Sequence, residues 1–147
     1  MEISRENGVM NMKRLDQIVE KYDDVDFSAK RVSDSELGTI LKQYDLKMGP
    51  QLRTYVLDYG YLGCKNVEFY GVNAIQKEKS DMFVQTEYLH KYFDLTKNFI
   101  AFESEGEGDY VLIDENDEMW LFNSEEKKLA KTNKVLFEYI EETFDAL

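Results

Sequence analysis

The chain has 147 residues, of which 43% are hydrophobic and 14% aromatic, enough for one packed core and too much for a disordered chain. Thirty acidic residues against eighteen basic ones give a formal net charge of −12, which disfavours binding to nucleic acid or to an anionic membrane surface. No apolar run is long enough to span a bilayer, the first residues lack a signal pattern, and a lone cysteine, Cys64, cannot form an internal disulfide, so we expect a cytoplasmic protein.

The N-terminal residues 1–12 show no apolar periodicity, and we expect them to form a loose leader. A single domain is expected over residues 13–147, because cores of this size are the commonest. The first helix is predicted over Lys13–Tyr22 from apolar residues that recur at helical spacing. These residues are Leu15, Ile18, Val19 and Tyr22.

Two further helices are predicted after an acidic loop. Ser33 and Glu36 have the spacing of a capping box, in which each side chain bonds to the other residue's backbone amide. Residues Leu46–Gly49 then read as a connection to a helix that Pro50 opens, since proline suits a first helical turn. That helix is expected to stop at Gly60, because glycine readily adopts the left-handed conformation found at helix ends.

The middle of the chain predicts two strands on either side of a helix. Residues Asn66–Val72 alternate and are rich in strand-forming types, while Asn98–Glu103 contain the short apolar run of a buried strand. Between them, Asp81–Phe93 is predicted to be helical from the spacing of five residues. They are Met82, Gln85, Tyr88, Leu89 and Tyr92.

The C-terminal third predicts a hairpin and a closing helix. Tyr110–Ile113 and Met119–Phe122 flank residues 114–118, whose Asn and Asp tolerate the positive φ of a tight turn. After a polar segment, SEEKKLAKTN, helical spacing resumes from Val135 to Phe144. The predicted class is therefore α+β, with a central antiparallel or mixed sheet packed by N-terminal helices and a C-terminal helix.

Motifs of enzyme chemistry are missing from the sequence. The one histidine, His90, and the one cysteine lie in no nucleophile motif, and phosphate-loop, dinucleotide and zinc-protease patterns are absent. Residues 103–109, ESEGEGD, could gather a hard cation, but they match no known metal loop, and residues 114–118 fail as an EF-hand. We therefore expect no catalytic residue, metal or cofactor, and a small metal-dependent or carboxylate enzyme is the lesser alternative.

The same acidic residues 103–109 are interpreted as a loop between two strands. Loops on a sheet often carry binding residues, although a solvated turn that only confers solubility is an equal alternative. Four aromatic residues pose a similar choice between core packing and anchoring a partner, with core packing favoured for the tryptophan. They are Tyr61, Tyr70, Tyr110 and Trp120.

Residues 33–72 carry a specific order of features: a capped helix, a junction with proline, a helix ending in Tyr-Gly, a turn with glycine and an E-x-Y-G strand. The residues concerned are Tyr59, Gly60, Gly63, Glu68, Tyr70 and Gly71. This order resembles the signature of the SUKH superfamily, named in part for a yeast regulator of cell-wall synthesis. GDYVLID and FEYIEETF further along resemble its later strand and closing helix, so the resemblance spans residues 13–146.

This resemblance implies a protein that binds another protein, because bacterial members of the superfamily are implied to be immunity proteins that neutralise polymorphic toxins, often nucleases. A regulatory scaffold, as the yeast relative suggests, is the second alternative. The hypothesis is that acidic residues and a tyrosine on the sheet and its loops meet a basic toxin domain, with the oligomeric state left open. The proposed partner-binding residues are Glu68, Tyr70, Glu105, Glu107, Asp109 and Asp114.

Overall fold

The computed structural model describes residues 14–72 and 78–147, and within them the chain has the predicted α+β fold. The helices are α1 (14–20), α2 (Asp34–Tyr44), α3 (Pro50–Asp58), α4 (Met82–Tyr92) and α5 (Leu136–Asp145). The strands are β1 (Val25–Phe27), β2 (Leu62–Cys64), β3 (Val67–Glu68), β4 (Ile100–Gly106), β5 (Asp109–Ile113), β6 (Glu118–Asn123) and β7 (Lys128–Val135). The predicted leader lies outside the described residues, and the single domain stays a prediction.

The N-terminal helices follow their local signals. Glu36 accepts a hydrogen bond from the Ser33 amide at 2.9 Å, and Ser33 Oγ accepts one from the Glu36 amide at 3.1 Å, which confirms the capping box. Pro50 opens α3, and Gly60 follows its end with a φ of +71°, as predicted. Helix α1 ends two residues earlier than predicted, at residue 20.

The strands form two antiparallel sheets, with three strands in the order β1-β2-β3 and four in the order β4-β5-β6-β7. The predicted strand Asn66–Val72 is paired as a strand only at β3. The residues after it bond to three different elements: the Phe69 amide to Leu62 O, the Tyr70 amide to Phe102 O and the Gly71 amide to Ser80 O. The segment therefore joins β2, β4 and the turn before α4 instead of continuing one ladder.

The structure has strands in three polar segments that were predicted as loops or left without a predicted element. Strand β1 lies inside the predicted acidic loop after α1. Strand β4 continues through Gly106, so only Glu107 and Gly108 form the turn to β5, both with positive φ. The polar segment before α5 contains a turn and then β7, which is an edge strand. Its exposed lysines suit an edge position, but they leave no alternation of apolar and polar residues from which a strand could be predicted.

The four-stranded sheet lies between two helices. Helix α4 packs on the face that carries Phe122. This residue contacts Phe93, which directly follows the helix, with ring centroids 5.2 Å apart. Val111 and its neighbour Glu103 point to the opposite face, where Glu103 meets Tyr139 of α5. None of the helices in the described part of the chain is long and apolar enough to cross a membrane.

The buried side of α4 includes only some of the residues whose spacing predicted the helix. Met82, Phe83, Thr86 and Leu89 are buried, whereas Tyr88 and Tyr92 are 46% and 59% exposed. Near its end, half-buried His90 donates from Nε2 to the Phe99 carbonyl at 2.8 Å, because the carbonyl can only accept. His90 thus ties the helix to the start of β4. Cys64 is a small, buried core residue.

Candidate functional site

An open cleft of about 580 Å³ lies between β3, the end of β4 and the first turns of α4. We call it the acidic cleft, because three carboxylate side chains and two tyrosines line it and, among its described lining residues, Lys79 is the only basic one. The lining residues are Asn66, Val67, Glu68, Tyr70, Lys79, Gln85, Glu103, Ser104, Glu105 and Tyr110. The cleft therefore brings together Glu68, Tyr70 and Glu105 of the predicted site.

A β-bulge in β4 brings the two sheets together at this cleft. The register with β5 shifts between Ala101 and Glu103, so Phe102 is the extra residue of the bulge. Its carbonyl accepts a hydrogen bond from the Tyr70 amide at 2.7 Å, which joins the small sheet to the large one. Phe102 also stacks on Phe69 with ring centroids 4.7 Å apart, so the junction is both hydrogen-bonded and packed.

Glu68 is exposed, but its carboxylate is held in place. Tyr61 OH donates to one oxygen at 3.0 Å and Ser80 Oγ to the other at 2.8 Å. Gly63 makes room for this arrangement, because a Cβ atom there would lie 2.4 Å from the Tyr61 hydroxyl oxygen. The glycine of the sequence motif thus allows a tyrosine to orient the motif's glutamate at the mouth of the cleft.

Tyr70 forms part of the cleft wall and is largely buried. Its carbonyl accepts a hydrogen bond from Tyr55 OH at 2.8 Å, and burial raises the pKa of its phenol to about 12. Tyr110 on β5 is half-buried and forms another part of the lining. Tyr70 therefore stays an un-ionised, well-packed part of the wall with little exposed surface.

Glu103 is a cleft residue that was predicted both as the last residue of a buried strand and as the first residue of the acidic loop. Its side chain is buried, with the residue 8% exposed, and it accepts a hydrogen bond from Tyr139 OH. Burial raises the pKa of its carboxyl to about 7, although the Tyr139 hydrogen bond opposes this shift. The apolar run that directly precedes it in the sequence is the signal that β4 continues inside the core.

The turn between β4 and β5, with the strand ends beside it, carries the remaining predicted acidic residues on this side of the molecule. Glu105, Glu107 and Asp109 are all exposed, and we call them the acidic tip. Asp109 accepts a hydrogen bond from Asn123 Nδ2 at 2.7 Å, while Glu107 has the positive φ of the turn itself. Since Glu105 also lines the acidic cleft, the tip and the cleft form one continuous acidic surface.

Asp114 lies away from the acidic tip, at the other end of β5. The five-residue strand separates them by about 17 Å. Its carboxylate accepts hydrogen bonds from the amides of Asn116 and Glu118 and from Trp120 Nε1, at 2.9, 3.0 and 3.0 Å. Asp114 thus shapes the turn before β6, and the half-buried Trp120 packs on Phe99 beside it.

No group of three or more His, Cys, Asp and Glu side chains in residues 14–72 and 78–147 is arranged to hold a metal ion. The carboxylates of the acidic cleft therefore do not converge on one point. They are spread along its wall and mouth: Glu68 and Glu105 are exposed, whereas Glu103 is buried against Tyr139.

Comparison with models of protein families gives a match over residues 13–145 to SUKH_5, described as SMI1-KNR4 cell-wall. The match covers nearly the whole described chain, including both sheets and all the residues of the acidic cleft. No curated protein matches the chain.

Proposed function

The chain belongs to the SUKH_5 family of SMI1-KNR4 proteins, and on that premise we propose that it is a non-catalytic immunity protein that neutralises a polymorphic toxin by binding it. The observation that carries the proposal is the continuous surface of the acidic cleft and the acidic tip. The resemblance to bacterial SUKH proteins supplies the kind of partner, a toxin domain, and we propose that the encounter takes place in the cytoplasm.

The chemistry of the surface favours a basic partner. Carboxylates at the cleft mouth attract cations, and the net charge of −12 extends this attraction beyond contact distance. A nuclease must present positive charge where it binds the phosphate backbone of its substrate. Glu68 and Glu105 can occupy such a surface as the phosphates would, so the substrate is excluded while the complex lasts.

The components of the surface have different effects on binding. Exposed charges such as those of the acidic tip mainly raise the association rate. Side chains that are held in place lose less conformational entropy on binding, and Glu68 is held by Tyr61 and Ser80. Glu68 is therefore the carboxylate of this surface that we expect to contribute most to the lifetime of the complex.

Growth of cells that express the toxin encoded beside this chain's gene tests the proposal. Co-expression of the wild-type chain should restore growth, and a non-cognate toxin of the same enzymatic class should still kill. The proposal fails if the chain is present at the toxin's level or above and growth does not recover.

Neutralising the acidic tip tests its contribution to the encounter. The triple variant Glu105→Gln, Glu107→Gln, Asp109→Asn should lower the association rate constant by about tenfold at low salt, with a smaller effect on dissociation. The difference should shrink as salt is added, because exposed charges are screened. Surface-based kinetics with an inactivated toxin domain measures both rates.

The matched control removes the same number of exposed acidic residues elsewhere. Glu20, Asp23 and Glu115 are exposed and lie outside the acidic cleft and the acidic tip. Converting these three residues to the corresponding amides changes the net charge by the same amount as the acidic-tip variant does. An equal decrease in association rate for both triple variants would mean that net charge alone, and not the acidic tip, steers the encounter.

A regulatory scaffold is the second candidate, favoured by the cell-wall description of the matching family. A scaffold also binds proteins without turnover, so it would use the same surface for a different purpose. The growth experiment separates the two, because a scaffold gives no protection against the toxin.

A further inference from the structure

The exposed side of α4 carries a row of apolar and aromatic side chains. Val84, Tyr88, Tyr92 and Leu95, in and just beyond the helix, are each more than a third exposed, and we call them the α4 aromatic face. Tyr88 and Tyr92 contact each other with ring centroids 5.1 Å apart. Their spacing of four residues places them on one side of the helix, away from its buried residues.

This face continues directly into the acidic cleft. Gln85, one residue after Val84, lines the cleft together with Tyr110. Tyr88 lies close enough to Tyr110 to raise the pKa of the Tyr110 phenol further, although burial is the larger cause. The aromatic row and the carboxylates are therefore two parts of one surface, and Glu87 adds an exposed carboxylate on α4 itself.

We propose that the α4 aromatic face is the anchor that holds the basic protein partner, with arginine or lysine side chains of that partner packed against Tyr88 and Tyr92. This inference rests on the proposed function and deepens it by naming the contact residues. Tyrosines at the centre of an interface supply large contact area at low entropic cost, and the carboxylates of the neighbouring acidic cleft favour a basic partner.

Two observations favour this occupant. Lys91 Nζ lies 5.4 Å from the Tyr92 ring centroid, so the exposed ring is placed where a cation can pack against it, and a partner's cation would take the place of Lys91 there. A second copy of the chain would instead bring two molecules of net charge −12 together at their acidic surfaces. Like charges at such close range oppose association, so charge complementarity favours a basic protein over a second copy.

Binding of an inactivated toxin domain, encoded beside this chain's gene, tests the anchor. The double variant Tyr88→Ala, Tyr92→Ala should raise the Kd roughly 100-fold, mainly through faster dissociation. The variant Tyr88→Phe, Tyr92→Phe keeps both rings and should stay within about fivefold of wild type. Far-UV circular dichroism checks that each variant is folded.

A matched control removes two exposed apolar side chains elsewhere. Phe27 on β1 and Leu121 on the α5 side of the sheet are 53% and 43% exposed. The variant Phe27→Ala, Leu121→Ala should bind within about threefold of wild type, because it lies outside the proposed interface.

Three other results would overturn the anchor, one of them together with the proposed function. If wild type binds and Tyr88→Ala, Tyr92→Ala binds within threefold of it, the anchor is overturned and the proposed function stands. If wild type does not bind the toxin domain, the proposed function and the anchor both fall. A dimer in sedimentation velocity that the same double variant dissociates would assign the face to a second copy and overturn the anchor as well.

Discussion

Replacing Asp117 with alanine is expected to lower the free energy of unfolding by about 3 kcal/mol. Asp117 is only 3% exposed, and its carboxylate accepts hydrogen bonds from the amides of Gln51 and Leu52 at 2.9 and 3.0 Å. These amides belong to the first turn of α3, whose N-cap, Gly49, has no side chain to bond them. A turn between two strands therefore caps a helix that lies 65 residues earlier.

Three costs combine in the alanine variant. Two buried amides lose their acceptor, the negative charge at the positive end of the helix disappears, and alanine must adopt the φ of +63° that Asp117 has. Urea denaturation followed by circular dichroism measures the result.

The conservative variant Asp117→Asn separates the stability lost with the helix cap from the stability lost through the left-handed backbone conformation. Asparagine tolerates the left-handed conformation and keeps one acceptor oxygen, so about half of the loss should remain. Equal stability of the two variants would show that the carboxylate does not cap α3. Gly49→Ala should also destabilise, because its Cβ would lie 2.5 Å from the Asp117 carboxylate.

Replacing Glu103 with glutamine is expected to stabilise the protein by about 2–3 kcal/mol at pH 8 and by much less at pH 5. Burial raises the pKa of the Glu103 carboxyl from 4.5 to about 7, so the folded chain favours the protonated form. The stability that this group contributes is complete below pH 4.5 and is lost as the pH rises through 7. Glutamine stays uncharged throughout and still accepts the hydrogen bond from Tyr139.

Urea denaturation of wild type and Glu103→Gln at pH 5 and pH 8 measures this difference. Many carboxyls titrate in this range, but they are common to both proteins and cancel in the comparison. The control is Glu105→Gln, an exposed carboxyl two residues along the same strand, which should change stability by less than about 0.5 kcal/mol at either pH. A stability gain for Glu103→Gln that is equal at both pH values would contradict a buried carboxyl that titrates near 7.

Local signals in the sequence were enough to predict the helices and the hairpin. The Ser33 and Glu36 capping box, Pro50 and Gly60 each act through bonds or conformations within a few residues, so a sequence pattern can contain them. The same holds for the turn at Asp117, because aspartate is a residue type that tolerates positive φ. That its carboxylate caps α3 could not be predicted, because the two partners are distant in the sequence.

Strand pairing and burial were harder to predict for the same reason. β7 has the polar composition of an edge strand, and Glu103 is an acidic residue in a buried position that a β-bulge creates. The spacing that predicted α4 did not show which of its sides is buried, because tyrosine suits both a core and an exposed face, and only tertiary packing decides between them. Of the predicted site, the cleft unites Glu68, Tyr70 and Glu105, while Asp114 lies at the far end of β5.

The claim that this chain works by binding and not by turnover is tested most directly by titrating its cognate toxin domain with it and measuring the toxin's remaining activity. Binding predicts that activity falls in proportion to the chain added and reaches its minimum at one equivalent, with both proteins recovered intact. Full activity at an excess of the chain would contradict the account, and so would complete inactivation by a small fraction of an equivalent, which only a catalyst could achieve.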